Sequence, residues 1–181
     1  MKFLFASDIH GSFHFCSKLI DVYNDEQPDK LILLGDLLYH GPRNNLSQNY
    51  NTMEVANLLN SIKQNIICVR GNCDAQVDQM VLEFPIMSDY LLMYIDQKLV
   101  FLTHGHIYNK NNLPNLNNGD IIIHGHTHVP TVENLNGITY INPGSISLPK
   151  NNTPNTYMLY EDGLFQIKDF SGNTFKEYKI S

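Results

Sequence analysis

Short apolar runs alternate with helix-spaced segments through the first part of the chain. Lys2 to Ser7 is an apolar run of strand length, and Ser12 to Asp25 places Phe15, Leu19, Ile20 and Tyr23 on one helical face. Lys30 to Leu34 is a second run, ending in Gly35-Asp36, and Met53 to Ile62 again has helical spacing through Val55, Leu58, Leu59 and Ile62. Ile66 to Val69 is a third run, ending in Gly71-Asn72. Three strand-loop-helix passes with continuous apolar strands predict a buried, largely parallel sheet with helices on its faces. After Phe84-Pro85 the rhythm changes. Tyr90 to Ile95 and Leu99 to Thr103 bracket an Asp96-Gln97-Lys98 turn, and Ile121 to His124 is another buried-looking run. Asn136-Gly137 and Asp162-Gly163 lie between alternating segments and signal two hairpins. A second sheet packed on the first is the simplest reading. The expected fold is an α/β sandwich of two packed sheets flanked by helices, as one unit over residues 1–181. The Asn-rich stretches 44–51 and 109–118 read as long loops beside the chemical clusters.

At 181 residues and 43% hydrophobic content, the chain can bury a core without disulfides. Cys16, Cys68 and Cys73 are an odd number without framework spacing, and the N-terminus lacks a secretion-signal pattern, so a reducing cytoplasm is expected. No apolar run approaches the roughly 18 residues of a membrane helix, which argues against a membrane span. The formal net charge is −6 with no basic run, which argues against bulk nucleic-acid binding.

The candidate chemistry lies in the histidines. Six of the eight fall in Asp8-Ile9-His10, His104-Gly105-His106 and His124-Gly125-His126-Thr127-His128. Asp8 and His10 end the first strand, Asp36 the second and Asn72 the third, while His104, His126 and His128 end later ones. In open α/β sheets the carboxyl ends of strands form the ligand crevice. Carboxylate, carboxamide and imidazole donors suit Mn, Fe, Zn or a similar divalent ion, and the lack of clustered thiolates argues against a structural zinc knuckle. Each piece alone is weak: Asp-x-His arises by chance, Gly-Asp is an ordinary turn, and a lone His is more often structural than ligating. Order and spacing together carry the reading. His106 and His124 flank ligand candidates, but strand alternation turns neighbours away, so a supporting or core role is expected for both.

Asp8-x-His10, Gly35-Asp36, Gly71-Asn72, His104-Gly105 and Gly125-His126-x-His128 resemble, in order, the blocks of the calcineurin-like metallophosphoesterases. The resemblance is closer to the YfcE type of bacterial phosphodiesterase, through residues 5–12, His40-Gly41-Pro42-Arg43-Asn44, residues 69–74, residues 77–80 and Asn142-Pro143-Gly144-Ser145. It implies one metal held by Asp8, His10, Asp36 and His128, and a second held by Asp36, Asn72, His104 and His126. Asp36 would bridge them. It further implies two divalent ions, Mn first with Zn, Fe or Ni as substitutes, hydrolysis of a small phosphodiester by a hydroxide shared between them, and a dimer or tetramer. Many family members have His where this chain has Cys73. A thiol is the poorer proton donor at neutral pH, so activated esters would be favoured, or Cys73 is only a packed residue. Asp74 would orient Cys73 or a histidine. Arg43 and His40 are candidates for substrate contact, though both also suit a solvated loop. Asn142-Pro143-Gly144-Ser145 is expected to shape a turn beneath the site. Two further readings share these residues: a phosphomonoesterase or pyrophosphatase, and a metal-binding interaction scaffold of the kind a retromer subunit makes of this fold. The scaffold's metal residues are degraded, whereas here all are present.

Overall fold

The computed structural model describes residues 1–180. Its strands are β1 (Lys2–Ala6), β2 (Lys30–Leu33), β3 (Ile66–Cys68), β4 (Tyr90–Ile95), β5 (Lys98–Thr103), β6 (Ile121–Ile123), β7 (Thr131–Leu135), β8 (Ile138–Asn142), β9 (Thr156–Glu161), β10 (Leu164–Asp169) and β11 (Thr174–Lys179). Two α-helices, α1 (Phe13–Glu26) and α2 (Thr52–Ser61), complete the described elements beside short 3₁₀ turns. One sheet runs β11-β10-β9-β1-β2-β3 and the other β4-β5-β6-β8-β7. Parallel pairing is confined to β1-β2-β3 and β5-β6-β8, and the hairpin strands join antiparallel at the flanks.

The helices form where the apolar spacing places them, and each has a defined start. Ser12 Oγ accepts from Phe15 N–H at the head of α1, and Asn51 Oδ1 accepts from Glu54 N–H at the head of α2. At the far end of α1, Gln27 in the left-handed region returns its N–H to the Tyr23 carbonyl. The hairpin β7-β8 turns on Asn136 and Gly137, both at positive φ, as a tight two-residue turn requires.

Two expectations need correction. The third pass has no α-helix after β3; the chain makes only a 3₁₀ turn at Asp78–Met80 before β4. The segment 71–82 is polar and its carboxylates bond nearby backbone N–H groups, as Asp78 does with Ala75, so local turns outcompete a helix. The helices also lie on one face of the first sheet and not on both, because the second sheet covers the other. Leu19, Val55 and Leu59 pack with Leu4, Leu31 and Leu33 on one face of the first sheet. Phe5, Ile32 and Leu34 on its other face meet Val100, Leu102, Ile121 and Ile123 of the second sheet. The second sheet's outer face, with Phe101, Ile122 and Tyr140, is covered by Tyr108 and Leu116 from the Asn-rich loop instead of a helix.

Candidate metal centre

β1, β2 and β3 deliver Asp8, His10, Asp36 and Asn72 beyond their carboxyl ends, and β5 and β6 deliver His104, His126 and His128 from the facing sheet. The backbone turns sharply there: Asp8, His10, Asp36, His126 and His128 all lie at positive φ, between 47° and 66°. Such angles disfavour ordinary side chains and cluster where function demands a direction.

The donor atoms converge. Asp8 Oδ1 lies 3.2 Å from His128 Nε2 and 3.7 Å from His10 Nε2, and those two nitrogens are 3.2 Å apart. Asp36 Oδ2 is 3.6 Å from His10 Nε2 and 3.4 Å from His104 Nε2, and His104 Nε2 is 3.1 Å from Asn72 Oδ1. His126 sits beside this group with its ring 5.1 Å from that of His104, and its backbone N–H donates to Asp8 Oδ2.

Three imidazoles have their outer nitrogen committed. Nδ1 of His10, His104 and His128 meets the carbonyls of Tyr39, Leu34 and Leu148 at 2.8, 2.6 and 2.5 Å. A carbonyl accepts only, so each Nδ1 carries hydrogen, and Nε2 presents a lone pair inward whenever the ring is neutral. Asp8 Oδ1 is buried without a hydrogen-bond donor. Lone pairs aimed at one another around an orphaned carboxylate oxygen fit a divalent cation.

Electrostatics agree. Burial pushes the Asp8 carboxyl up, but His10 and His128 beside it outweigh that and hold it well below the ordinary range. Asp36 is likewise raised by burial yet held low, chiefly by His104. Burial lowers His10 and His104, but Asp8 and Asp36 raise both overall, His104 to about 9.

The frame around these ligands is made of polar residues that do not face the centre. Asp74 Oδ2 accepts from the backbone N–H of Asp36 and Gly71, and Oδ1 accepts from that of Leu37. Those bonds correct the expectation that Asp74 orients Cys73 or a histidine: it braces the Asp36 turn. Ser145 Oγ and Ser147 Oγ both donate to the Asp8 carbonyl, and Ser7 Oγ donates to Asp8 Oδ2. Asn142 Nδ2 donates to the Gly125 carbonyl and Thr127 Oγ1, tying down the loop that bears His126 and His128. Two glycines admit close approach: a Cβ on Gly71 would meet Asp36 Oδ1 at 2.1 Å, and one on Gly125 would meet Ser7 Oγ at 1.8 Å.

A cavity of about 410 Å³ opens over Asp36, Asn72 and His126, with Cys73, Arg43, Asn44, Thr127 and Lys150 in its walls. Arg43 thus reaches the cavity. His40 does not; its ring lies edge-on between Tyr39 and Tyr50. An imidazole packed between two aromatic rings is fixed by that packing, which the loop's polar composition does not reveal. Burial, then the Asp36 carboxylate, pushes the Cys73 thiol up to about 12, while its backbone N–H donates to Asp36 Oδ1 at 2.8 Å. His124 is buried and pushed down to about 4, hence neutral, and His106 packs against the rings of His104 and His126. Sequence reasoning did not single out Lys150, Thr127, Ser7 or Ser147; only their neighbourhood to the motifs pointed to them.

The chain belongs to the calcineurin-like phosphoesterase superfamily, whose domain description matches residues 1–162. This is a family of metal-dependent phosphoester hydrolases. A particular relative is phosphodiesterase YfcE of Escherichia coli K12, 41% identical over 167 residues, spanning 92% of this chain and 91% of the relative. The solved structure of the E. coli YfcE phosphoesterase superposes with a TM-score of 0.97 at 38% identity over 100% of both chains. Vps29 of Entamoeba histolytica with bound zinc shares the fold, with a TM-score of 0.61 at 18% identity over 100% of both chains.

Because His104 is raised to about 9 in the metal-free protein, it holds a proton at neutral pH that a cation must displace. The apparent affinity for Mn should therefore rise with pH up to about 9, with proton release on binding. Isothermal titration in buffers of different ionisation enthalpy reads both, and an affinity flat across this range would count against the assignment. Replacing Asp74 by Ala leaves buried N–H groups unmatched and should cost about 3 kcal/mol in urea unfolding of the metal-free protein. Wild-type stability in Asp74→Ala would remove the brace.

Proposed function

We propose that this protein is a phosphodiesterase cleaving a small phosphate diester at a two-metal centre. One ion would be held by Asp8, His10, Asp36 and His128, the other by Asp36, Asn72, His104 and His126. The observation carrying this reading is the position of Asp36 Oδ2, 3.6 Å from His10 Nε2 and 3.4 Å from His104 Nε2, between two sets of donors. When bound, such ions polarise phosphoryl oxygens and supply an activated water nucleophile. The oxygen and imidazole donors make Mn our first choice, with Zn, Fe or Ni as substitutes. The similarity to a protein named phosphodiesterase supports a diester over a monoester or pyrophosphate.

The chain's own residues do the remaining work. Arg43 and Lys150, on the cavity wall and outside every ion pair among the described residues, attract and orient the diester anion. Cys73 occupies the cavity wall beside Asp36 and Asn72, and a thiol is a poorer proton donor at neutral pH than an imidazole. It therefore donates poorly, and esters whose leaving group departs as a stable anion are favoured. No described helix is long and apolar enough to cross a membrane, and the cysteines are free, with Cys16 and Cys68 buried. A reducing cytoplasmic setting suits them.

The test is hydrolysis of bis-p-nitrophenyl phosphate beside p-nitrophenyl phosphate by metal-stripped protein, before and after adding Mn, with bound metal counted. Metal-restored turnover of the diester is expected. Faster turnover of the monoester would favour the phosphomonoesterase reading, and two bound metals without turnover the scaffold. Asp36→Asn should reduce turnover by at least about 100-fold while leaving the circular dichroism spectrum intact. Cys73→His places an imidazole on the same wall and should raise kcat about tenfold or more for diesters with poor leaving groups, with little change for nitrophenyl esters. An equal effect on both classes would contradict a role in proton supply.

A further inference from the structure

Among the described residues, three sets of side chains each bring three donor atoms within 4.8 Å of one another. Two of the sets, Asp8 with His10 and His128 and Asp8 with Asp36 and His104, are drawn wholly from the ligands already assigned. The third is His10, Asp36 and Cys73, and it adds a donor of another kind. Thiolate sulfur selects soft ions, whereas carboxylate and carbonyl oxygens suit hard ones. A sulfur at this place therefore bears on which ion the centre prefers.

The surroundings hold the sulfur there. Cys73 backbone N–H donates to Asp36 Oδ1 at 2.8 Å, which anchors the residue on the carboxylate that faces both His10 and His104. Asn72 Nδ2 donates to Cys73 Sγ at 3.3 Å, so the sulfur already acts as an acceptor. Gly41, at positive φ, leaves it room, since a Cβ on that residue would stand 3.1 Å from Sγ. Cys16 and Cys68 lie in the apolar core and belong to none of the three sets. The need for a cation on this side of the centre is seen independently of the thiol. Asp8 Oδ1, on a side chain with no exposure, lacks a donor and lies 3.7 Å from His10 Nε2.

We propose that Cys73 is a conditional metal ligand, whose sulfur joins His10 and Asp36 around a thiophilic ion such as Zn, Cd or Co and stays off the centre when Mn occupies it. This rests on the reading of the centre as a metal site. In a tetrahedral zinc site, sulfur at about 2.3 Å and nitrogen at about 2.0 Å from the ion lie about 3.5 Å apart. A set already within 4.8 Å is little more than about 1 Å from closing. On ligation the S–H bond breaks, the sulfur keeps the electron pair and shares it with the ion, and the proton passes to the buffer. Mn prefers oxygen and gives little drive to break that bond. The consequence falls on the substrate side, because Cys73 stands in the cavity wall with Arg43 and Asn44. A thiolate there adds negative charge where an anionic diester approaches and fills a position on the ion that faces the cavity. Soft ions are thus held more firmly and support less turnover than Mn.

The test loads metal-stripped protein with Co in one sample and Cd in another. Bound Co should show visible ligand-field bands together with a sulfur-to-cobalt charge-transfer band in the near ultraviolet, and bound Cd its counterpart at shorter wavelength. Cys73→Ser should keep the ligand-field bands and the amount of Co bound, yet lose both charge-transfer bands. In competition, its preference for Cd over Mn should fall at least about tenfold. Ligand-field bands without charge transfer in the wild type would overturn the proposal and leave the metal centre standing. Failure to bind Co at all would overturn both. A charge-transfer band that persists in Cys73→Ser would belong to another cysteine and would also sink the assignment.

Discussion

Two carboxylates with almost no access to water, Asp8 and Asp36, set the terms for the rest of the molecule. Buried carboxylates near one another repel, and burial alone would push each toward its neutral form. Both are nevertheless held low, because imidazole nitrogens face them and backbone N–H groups of His126 and Cys73 donate to them. That leaves Asp8 Oδ1 without a donor, and the inward Nε2 atoms are donors of electron pairs to a cation in their neutral form. A site so arranged is incomplete as a purely organic network. It is complete once a cation takes the place where acceptor oxygens and lone pairs converge.

Placing those groups costs backbone strain, which the fold absorbs. Asp8 and Asp36 are both in the left-handed region, and each is pinned by contacts from distant segments. Ser145 and Ser147 bind the Asp8 carbonyl, and Asp74 gathers the N–H groups on either side of the Asp36 peptide. Strained turns persist only where surrounding structure over-determines them. This explains why so many buried polar residues near the centre, Asn142 among them, point away from it. They hold the loops, and the loops aim the ligands.

Periodicity made much of the frame legible. The runs at 30–34 and 66–69 match β2 and β3, and the helical spacing at 12–25 and 53–62 matches α1 and α2 within a residue. The ligand candidates were legible because strand ends are where a sheet presents its chemistry. What escaped depends on long-range contact. Ser145 and Asp8 meet across 137 residues, so no local pattern announces that hydrogen bond. Asp74 follows Cys73 in sequence and looked chemical, yet its carboxylate is consumed by backbone donors. His40 sits in a motif-like loop, and only tertiary packing turns its ring between two tyrosines. The missing third helix has the same origin, since turn-forming carboxylates there found backbone partners nearer at hand.

The placement of the donors across both sheets has a mechanical meaning. Asp8, His10, Asp36 and Asn72 come from the first sheet, and His104, His126 and His128 from the second, while Phe5, Ile32, Val100 and Ile121 fill the space between. Apolar packing is non-directional and holds the sheets together whatever occupies the site. A cation would add directional bonds at one end of that interface, where the loops are otherwise joined by bonds such as that from His126 N–H to Asp8. Metal loss should thus loosen the loop rim before the sandwich itself, because the core does not depend on the ligands. The fold supplies rigidity beneath the site, and a bound cation would supply it at the loop rim.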